Sequence, residues 1–278
     1  ADSLYNRPEV ATMDKEKQFT ISRAVYGPVK SWRFGSSLGI DLLFVDSICS
    51  FNCVYCQLGN IEQHTDKRKV YVTTKKVIQD FKAVSKNKSF DIITYSGNGE
   101  PTLARNLKEV IISLKALTSV PQSILTNGTT LLNPEVIDAL CLLDKVSVKV
   151  DAGSESVFGR INRPVKGCTL QRVVDGIDNL KQHFSGELEV QSMFSNATMA
   201  DLDNYIALLN KIKPDKVQLN TPTRPYPSEW HRENRGNHLQ EYDYPVSALK
   251  IISQKNAEKV LKAVCEKTGL DVQSNFSD

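Results

Sequence analysis

Ile40-Asp-Leu-Leu-Phe-Val-Asp46 runs through Ser47-Ile48 into Cys49-Ser-Phe-Asn-Cys53-Val-Tyr-Cys56. The first stretch is β-rich and apolar, and reads as a strand. The second places three cysteines within eight residues, spaced C-x3-C-x2-C, directly past that strand. A strand that delivers its chemistry at its C-terminal end is the habit of parallel α/β folds.

The same rhythm continues outward. Further strand candidates are Phe90–Ser96, Gln122–Asn127, Lys145–Asp151, Leu188–Phe194 and Lys216–Asn220. Amphipathic stretches of helical length lie between them. Leu107, Val110, Ile111, Leu114 and Leu117 share one helical face, as do Leu170, Val173, Val174, Ile177 and Leu180, and Leu202, Tyr205, Ile206, Leu209 and Ile212. Asn133-Pro134 reads as an N-cap followed by proline at the first helical position, and Thr198 with Asp201 as a weaker start signal. Strand and helix alternating in this way predict a parallel sheet with right-handed crossovers. A doubly wound sheet and a (β/α) barrel both satisfy the pattern.

The flanks read differently. Residues 1–38 look irregular, and residues 221–244 are rich in proline, aromatic and charged residues. A helical pair is expected over 245–268, capped by Gly269. With no repeat or flexible linker, residues 1–278 are expected to form one domain, with a core of about 36–220 and an extension over 221–278.

Composition narrows the function classes. The 278 residues are 40% hydrophobic and 24% charged, which suits a soluble globular chain. No apolar run reaches the ~20 residues needed to span a bilayer. Residues 1–10 lack the apolar core of a signal peptide, so the expected location is cytoplasmic, with no membrane partner. A net charge of +3 does not argue for nucleic acid, and the lysines near Lys67 and Lys82 read as solvated faces.

Three thiolates on one short loop can hold three irons of an iron–sulfur cubane and leave the fourth open to a small molecule. Two other classes fit the cysteines less well. An electron carrier would need a fourth cysteine. A zinc-dependent nucleic-acid-binding module would need a fourth ligand, for which His64 is the candidate, and a strong basic patch. Of the other cysteines, Cys141 and Cys265 read as core residues and Cys168 as a loop thiol.

C-x3-C-x-aromatic-C, with Tyr55 at the aromatic position, resembles the signature of the radical S-adenosylmethionine (SAM) superfamily. Tyr95-Ser-Gly-Asn-Gly-Glu-Pro-Thr102 resembles that family's Gly-Gly-Glu-Pro motif, and Leu125-Thr-Asn-Gly128 its Thr-Asn-Gly. The resemblance covers about residues 26–225, with further matches at Cys-Val-Tyr-Cys-Gln-Leu-Gly, Asn162-Arg163-Pro164 and Val-Gln-Leu-Asn-Thr-Pro-Thr-Arg-Pro. These recur in a subgroup loosely related to the wyosine-base synthases, although this chain lacks their second cysteine cluster.

The resemblance implies a partial (β/α)6 TIM-type barrel in the α/β class, with N- and C-terminal extensions. It implies a 4Fe–4S cluster on Cys49, Cys53 and Cys56, which cleaves SAM to a 5′-deoxyadenosyl radical that abstracts hydrogen from substrate. It also implies SAM contacts from Tyr55, Gly97, Asn98, Gly99, Glu100, Thr126, Asn127, Lys149 and Asp151, and an external electron donor such as a flavodoxin or ferredoxin. Gln191, Asn220 and Arg163 are further pocket candidates. Tyr226, Trp230, His231 and Arg232 would suit an RNA substrate or cap the barrel, and RNA or peptide is placed slightly ahead of a small molecule.

Overall fold

The computed structural model describes residues 23–231, 234–235, 242, 244–250 and 252–275. The chain opens with an antiparallel hairpin of β1 (Val25–Ser31) and β2 (Gly35–Ile40). The cysteine loop follows, stitched by the two-residue strands β3 (Ile48–Cys49) and β4 (Gln63–His64), and then α1 (Thr74–Ser85). The alternation then settles in: β5 (Ile92–Tyr95), α2 (Leu107–Lys115), β6 (Gln122–Thr126), α3 (Pro134–Leu140) and β7 (Lys145–Lys149). After β7 come α4 (Glu155–Ile161) and α5 (Leu170–Lys181), β8 (Glu187–Met193), the short α6 (Asn196–Met199), α7 (Leu202–Ile212) and β9 (Lys216–Asn220). Beyond it, β10 (Tyr226–Pro227) pairs with β11 (Val246–Ser247), and α8 (Gln254–Thr268) leads to β12 (Asp271–Ser274).

Among the described residues the main sheet has eight strands in the order β1-β2-β5-β6-β7-β8-β9-β12. From β2 to β12 every pairing is parallel, and only β1 runs antiparallel. The sheet is curled. Trp32 and Arg33, at the β1–β2 edge, and Asn275, past β12 at the opposite edge, line one common cavity. The architecture is therefore the expected partial TIM-type barrel, not a flat doubly wound sheet, with one further strand at each edge.

The helices bury the stripes the sequence marks. Leu170, Val173, Val174, Ile177 and Leu180 of α5 are all buried, and Asn133 caps α3 through a bond from Glu135 N at 2.9 Å. Leu117 is an exception: α2 ends at Lys115 and Leu117 is exposed. Among the described residues no helix is long and apolar enough to cross a membrane.

Four expectations need correction. The strand that leads into the cysteine loop is β2, Gly35–Ile40, not Ile40–Asp46. Asp41 turns the chain by accepting the Leu43 N–H at 3.0 Å, and Asp46 N bonds Leu43 O at 3.2 Å. Leu42, Leu43 and Phe44 are buried all the same, so apolarity marked burial and not extension. Of the stretch expected to be irregular, residues 1–22 lie outside the described residues, and β1 and β2 occupy most of 23–38; Gly39 leaves room for the Tyr26 ring to lie across the strand. The expected helical pair at 245–268 is one helix; Gly269 does cap it, in the left-handed region at φ 67°. Lastly, β12 was unread, because its register follows β9 and not any local pattern.

Candidate functional site

The cysteine loop is clamped from three sides. Ile48 N donates to Asn98 O at 2.8 Å and Glu100 N donates to Ile48 O at 2.9 Å. Gln63 N reaches Ser47 O and Thr65 N reaches Cys49 O, both at 2.9 Å. Asn52 N and Val54 N donate to Asn162 O and Ile161 O at 3.0 and 2.9 Å. The glycines of the Gly97-Asn-Gly99 run serve this clamp. Both have strongly positive φ, 148° and 145°, and a Cβ at Gly99 would strike the Ile48 carbonyl, while one at Gly97 would strike Asp41. The close approach they permit is between two loops of the protein, not only toward a ligand.

Cys49, Cys53 and Cys56 line one wall of a cavity of about 520 Å³. Burial pushes the Cys49 thiol far above its ordinary value, Cys53 up to about 12, and Cys56 upward too. Such thiols stay protonated unless a cation compensates, which is what iron does for a coordinating sulfur. Phe51 N and Asn127 Nδ2 donate to Cys49 Sγ at 3.4 and 3.5 Å, and Asn162 Nδ2 to Cys53 Sγ at 3.5 Å. Hydrogen bonds of this kind to sulfur stabilise the thiolate and tune a cluster. The donor set thus fits an iron–sulfur cubane. Among the described residues no three His, Cys, Asp or Glu side chains meet where a single metal ion could sit. A cubane needs no such convergence, because each thiolate binds its own iron. A mononuclear zinc site does need it, and His64 instead turns its Nε2 toward Ser50 O at 3.3 Å.

Glu100 is buried and held by four donors. Its Oε1 accepts from Thr102 N at 3.1 Å, Thr102 Oγ1 at 2.6 Å and Thr126 Oγ1 at 2.7 Å; its Oε2 accepts from Asn127 N at 2.6 Å. Burial raises its pKa while these bonds hold it down. Oε2 accepts one of these four bonds against three on Oε1, so it is the oxygen with a lone pair left for a ligand's ammonium. Asn127, held by Glu100, passes the ordering on to Cys49 and to Ser50 Oγ at 2.9 Å.

At the end of β7 a second cluster forms. Asp151, wholly buried, accepts from Tyr55 Oη, from Asn162 Nδ2 at 2.6 Å and from Met193 N at 2.7 Å, and pairs with Lys149 Nζ at 3.1 Å. Lys149 Nζ also lies 5.0 Å from the Tyr55 ring centroid. Burial, then the Asp151 charge, drives the Tyr55 hydroxyl well above its usual pKa, so it donates.

Tyr55, Gly97, Gly99, Glu100, Thr126, Asn127, Lys149, Gln191 and Asn220 share the cavity wall with the three cysteines. Gln191 is oriented by Gln218, whose Oε1 accepts from Gln191 Nε2 at 2.8 Å. Asn98, Asp151 and Arg163 fall elsewhere. Asn98 Nδ2 donates to Asp41 at 2.7 Å behind the wall, because the residue alternates with the two cavity-facing glycines. Asp151 lies behind Tyr55 and Lys149 and acts through them. Arg163, at φ 45°, turns its side chain to solvent while its backbone pairs with the cysteine loop.

In the following segment, Arg224 Nη1 donates to Gln57 Oε1 at 2.9 Å and Trp230 Nε1 to Asn98 Oδ1 at 3.1 Å. His231 stacks on Tyr244 with ring centroids 3.6 Å apart, Tyr226 lies in β10, and Arg232 is outside the described residues. Sequence reasoning missed Trp32, Arg33, Ser50 and Ser147. Asn162, whose Asn-Arg-Pro run was singled out, was not assigned as a partner of Asp151. Only Asn162 carried a signal; nothing local marks a hairpin-turn arginine as a cavity residue.

The remaining cysteines stand apart. Cys265 is exposed and Cys141 half-buried, so neither is the core residue its helical face suggested. Burial raises the Cys168 thiol to about 11, which disfavours a reactive thiolate.

A sequence model of the radical SAM superfamily matches residues 45–220. The UPF0026 protein slr1464 of Synechocystis is 43% identical over 253 residues, covering 90% of this chain and 95% of that one. In fold, the chain resembles TYW1 carrying a lysine–pyruvate adduct, with TM-score 0.56, 14% identity and coverage of 86% and 76% of the two chains. It also resembles Streptococcus suis SuiB bound to S-adenosylmethionine, with TM-score 0.58, 11% identity and coverage of 83% and 48%. The family match and the Synechocystis relative, on a curled parallel sheet that brings the C-x3-C-x2-C loop to a cavity at its strand ends, establish that this chain belongs to the radical SAM superfamily.

Proposed function

We propose that this chain binds a 4Fe–4S cluster through Cys49, Cys53 and Cys56 and SAM in the adjoining cavity, and that it initiates hydrogen abstraction from a substrate entering the open side of the half-barrel. The single observation that carries the reading is the shared wall: three half-buried thiols and the Glu100–Thr126–Asn127 brace face one cavity. When bound, the cluster supplies the electron that cleaves SAM to the 5′-deoxyadenosyl radical.

The chain's own residues bind and orient. Asn127 and Asn162 donate to the ligating sulfurs. Glu100, as a positioning residue, fixes Asn127 and offers its remaining lone pair to the SAM ammonium. Lys149, held by Asp151 over the Tyr55 ring, offers a cation for the SAM carboxylate or ribose hydroxyls. Gln191 and Asn220 supply amides on the far wall. An external donor, flavodoxin or ferredoxin in class, delivers the electron, and the substrate is an RNA or peptide.

The test is anaerobic reconstitution with iron and sulfide, then SAM and a strong reductant, with an assay for 5′-deoxyadenosine. Formation that requires all three cysteines supports the reading. Formation that survives Cys53→Ala overturns the cysteine assignment. No SAM binding by the reconstituted protein leaves an electron carrier as the better account.

A further inference from the structure

The segment that follows β9 passes back over both loops of the proposed cofactor site. Arg224 Nη1 donates to Gln57 Oε1 at 2.9 Å, just past the last cysteine of the motif. Gly59 lies so close against the segment that a Cβ there would stand 2.8 Å from Pro227 O and 2.6 Å from Glu229 O. Trp230 Nε1 then donates to Asn98 Oδ1 at 3.1 Å, so this aromatic turns its N–H to the Gly97-Asn98-Gly99 run. Arg235 completes the path. Its Nη1 donates to Asp41 Oδ2 at 2.9 Å and its Nη2 to Arg23 O at 2.7 Å, and its guanidinium carbon lies 4.9 Å from the Tyr26 ring centroid.

These contacts converge on Asn98. Its Nδ2 donates to the same Asp41 Oδ2 at 2.7 Å, and its carbonyl accepts from Ile48 N at 2.8 Å. The side-chain amide is therefore held at both ends, by Asp41 and by Trp230, and Asn98 is wholly buried. It is the one side chain between Gly97 and Gly99, which line the cavity and have no Cβ to limit their backbone. Whatever fixes Asn98 fixes the peptide planes on either side of it. Asp41 also packs directly on Gly97, where a Cβ would come within 2.4 Å of the carboxyl carbon. Asp41 is buried, and among the described residues Arg235 is the cation paired with it. Burial drives the Asp41 carboxyl upward, and the Arg235 charge opposes this most. Without Arg235, the carboxylate that holds Asn98 would be a buried charge with no counterion.

We propose that Arg235 and Trp230 are positioning residues for SAM: through Asp41 and Asn98 they hold the Gly97 and Gly99 backbone in the conformation that receives it. This rests on reading the cavity as the SAM site. Both residues lie beyond β9, so the core barrel carries the Gly-Asn-Gly motif and the extension sets its shape.

The test uses the full, anaerobically reconstituted chain. It reads SAM affinity by equilibrium dialysis, iron per chain, and the SAM dependence of 5′-deoxyadenosine formation under a strong reductant. Arg235→Gln weakens SAM binding ~10-fold or more and Trp230→Phe ~3-fold or more, while both keep the iron content and visible spectrum of wild type. The loss falls on the KM for SAM, with kcat within ~2-fold. Arg235→Lys, which keeps the charge toward Asp41 but loses the fork, loses less affinity than Arg235→Gln and guards against misfolding of that variant. Lys262→Ala, from the exposed pair with Glu266 on α8, leaves the affinity unchanged. Wild-type SAM affinity in both Arg235→Gln and Trp230→Phe overturns the assignment. Iron loss in step with SAM affinity also overturns it, because the segment would then only support the fold around the cysteine loop. A fall in kcat at unchanged KM overturns it as well. The wild-type protein separates this role from the reading beneath it: if wild type binds no SAM, the SAM reading fails and takes this role with it, whereas SAM binding that neither variant weakens removes the positioning role alone.

Discussion

Glu100 Oε2 accepts the backbone N–H of Asn127 at 2.6 Å, and Asn127 in turn donates its side chain to Cys49 Sγ at 3.5 Å. One buried carboxylate therefore ties the third strand end of the parallel array to the cysteine loop. Glu100→Ala would leave the Asn127 N–H and two threonine hydroxyls without their acceptor, at a cost of ~1–3 kcal/mol per buried group. The expected outcome is weaker SAM binding together with reduced iron per chain after reconstitution, measured by equilibrium dialysis and iron analysis. Full iron content with weakened SAM binding would confine Glu100 to the ligand side.

Gly99→Ala should be far more damaging than its size suggests. The added methyl meets the Ile48 carbonyl, and φ 145° is closed to residues with a Cβ. A destabilisation of ~3 kcal/mol or more, with loss of cluster retention, is expected. Gly159→Ala is the counterpart: it lies in α4 with nothing within 4 Å of its Cβ position, and should stabilise by ~0.5–1 kcal/mol. Urea denaturation of both variants checks the contrast.

Removal of iron ligands should be position-specific. Cys49→Ala, Cys53→Ala and Cys56→Ala each lose the visible absorption of the reconstituted protein, while Cys265→Ala, on an exposed helical position, keeps it. Retention of a full spectrum by any of the first three would remove that residue from the ligand set.

The barrel floor carries an acid-sensitive contact. Burial alone would raise Glu187, but Lys145 and Lys216 hold it below its usual value of 4.5. A depressed carboxylate pKa contributes stability above the unfolded value and loses it as pH falls through the folded one. Lys145 and Glu187 are about a third exposed, at 29% and 31%, so the pairing contributes ~1 kcal/mol or less. The melting temperature of Glu187→Gln should fall below wild type at pH 7, and the gap should close below pH ~4. A gap that persists at pH 3 would mean that packing, not charge, is the source.

Much of the site was legible because its chemistry is local. The C-x3-C-x2-C spacing places three thiols on one loop wherever the loop goes, and Gly-Asn-Gly-Glu-Pro after a strand marks a special backbone. The roles within those motifs were less legible. Glu100 reads as a ligand-binding carboxylate and proves to be an acceptor for four protein donors. Asn98, inside the same motif, faces Asp41 and not the cavity. Alternation along a strand end assigns faces, but only the packed loop decides which face is the cavity.

By itself the sequence determined the parallel α/β class, five of the six core strands, the helical stripes and the cysteine loop, because period, turn chemistry and ligand spacing are short-range properties. Only the tertiary structure decided that the apolar run after Ile40 turns instead of extending, that β12 joins β9, and that the sheet curls into a half-barrel. It also brought Arg33 of the first hairpin to the same cavity as Arg224. The physical reason is common to these cases: each depends on burial and register between segments distant in the chain, and no local propensity encodes a partner that the fold has yet to supply.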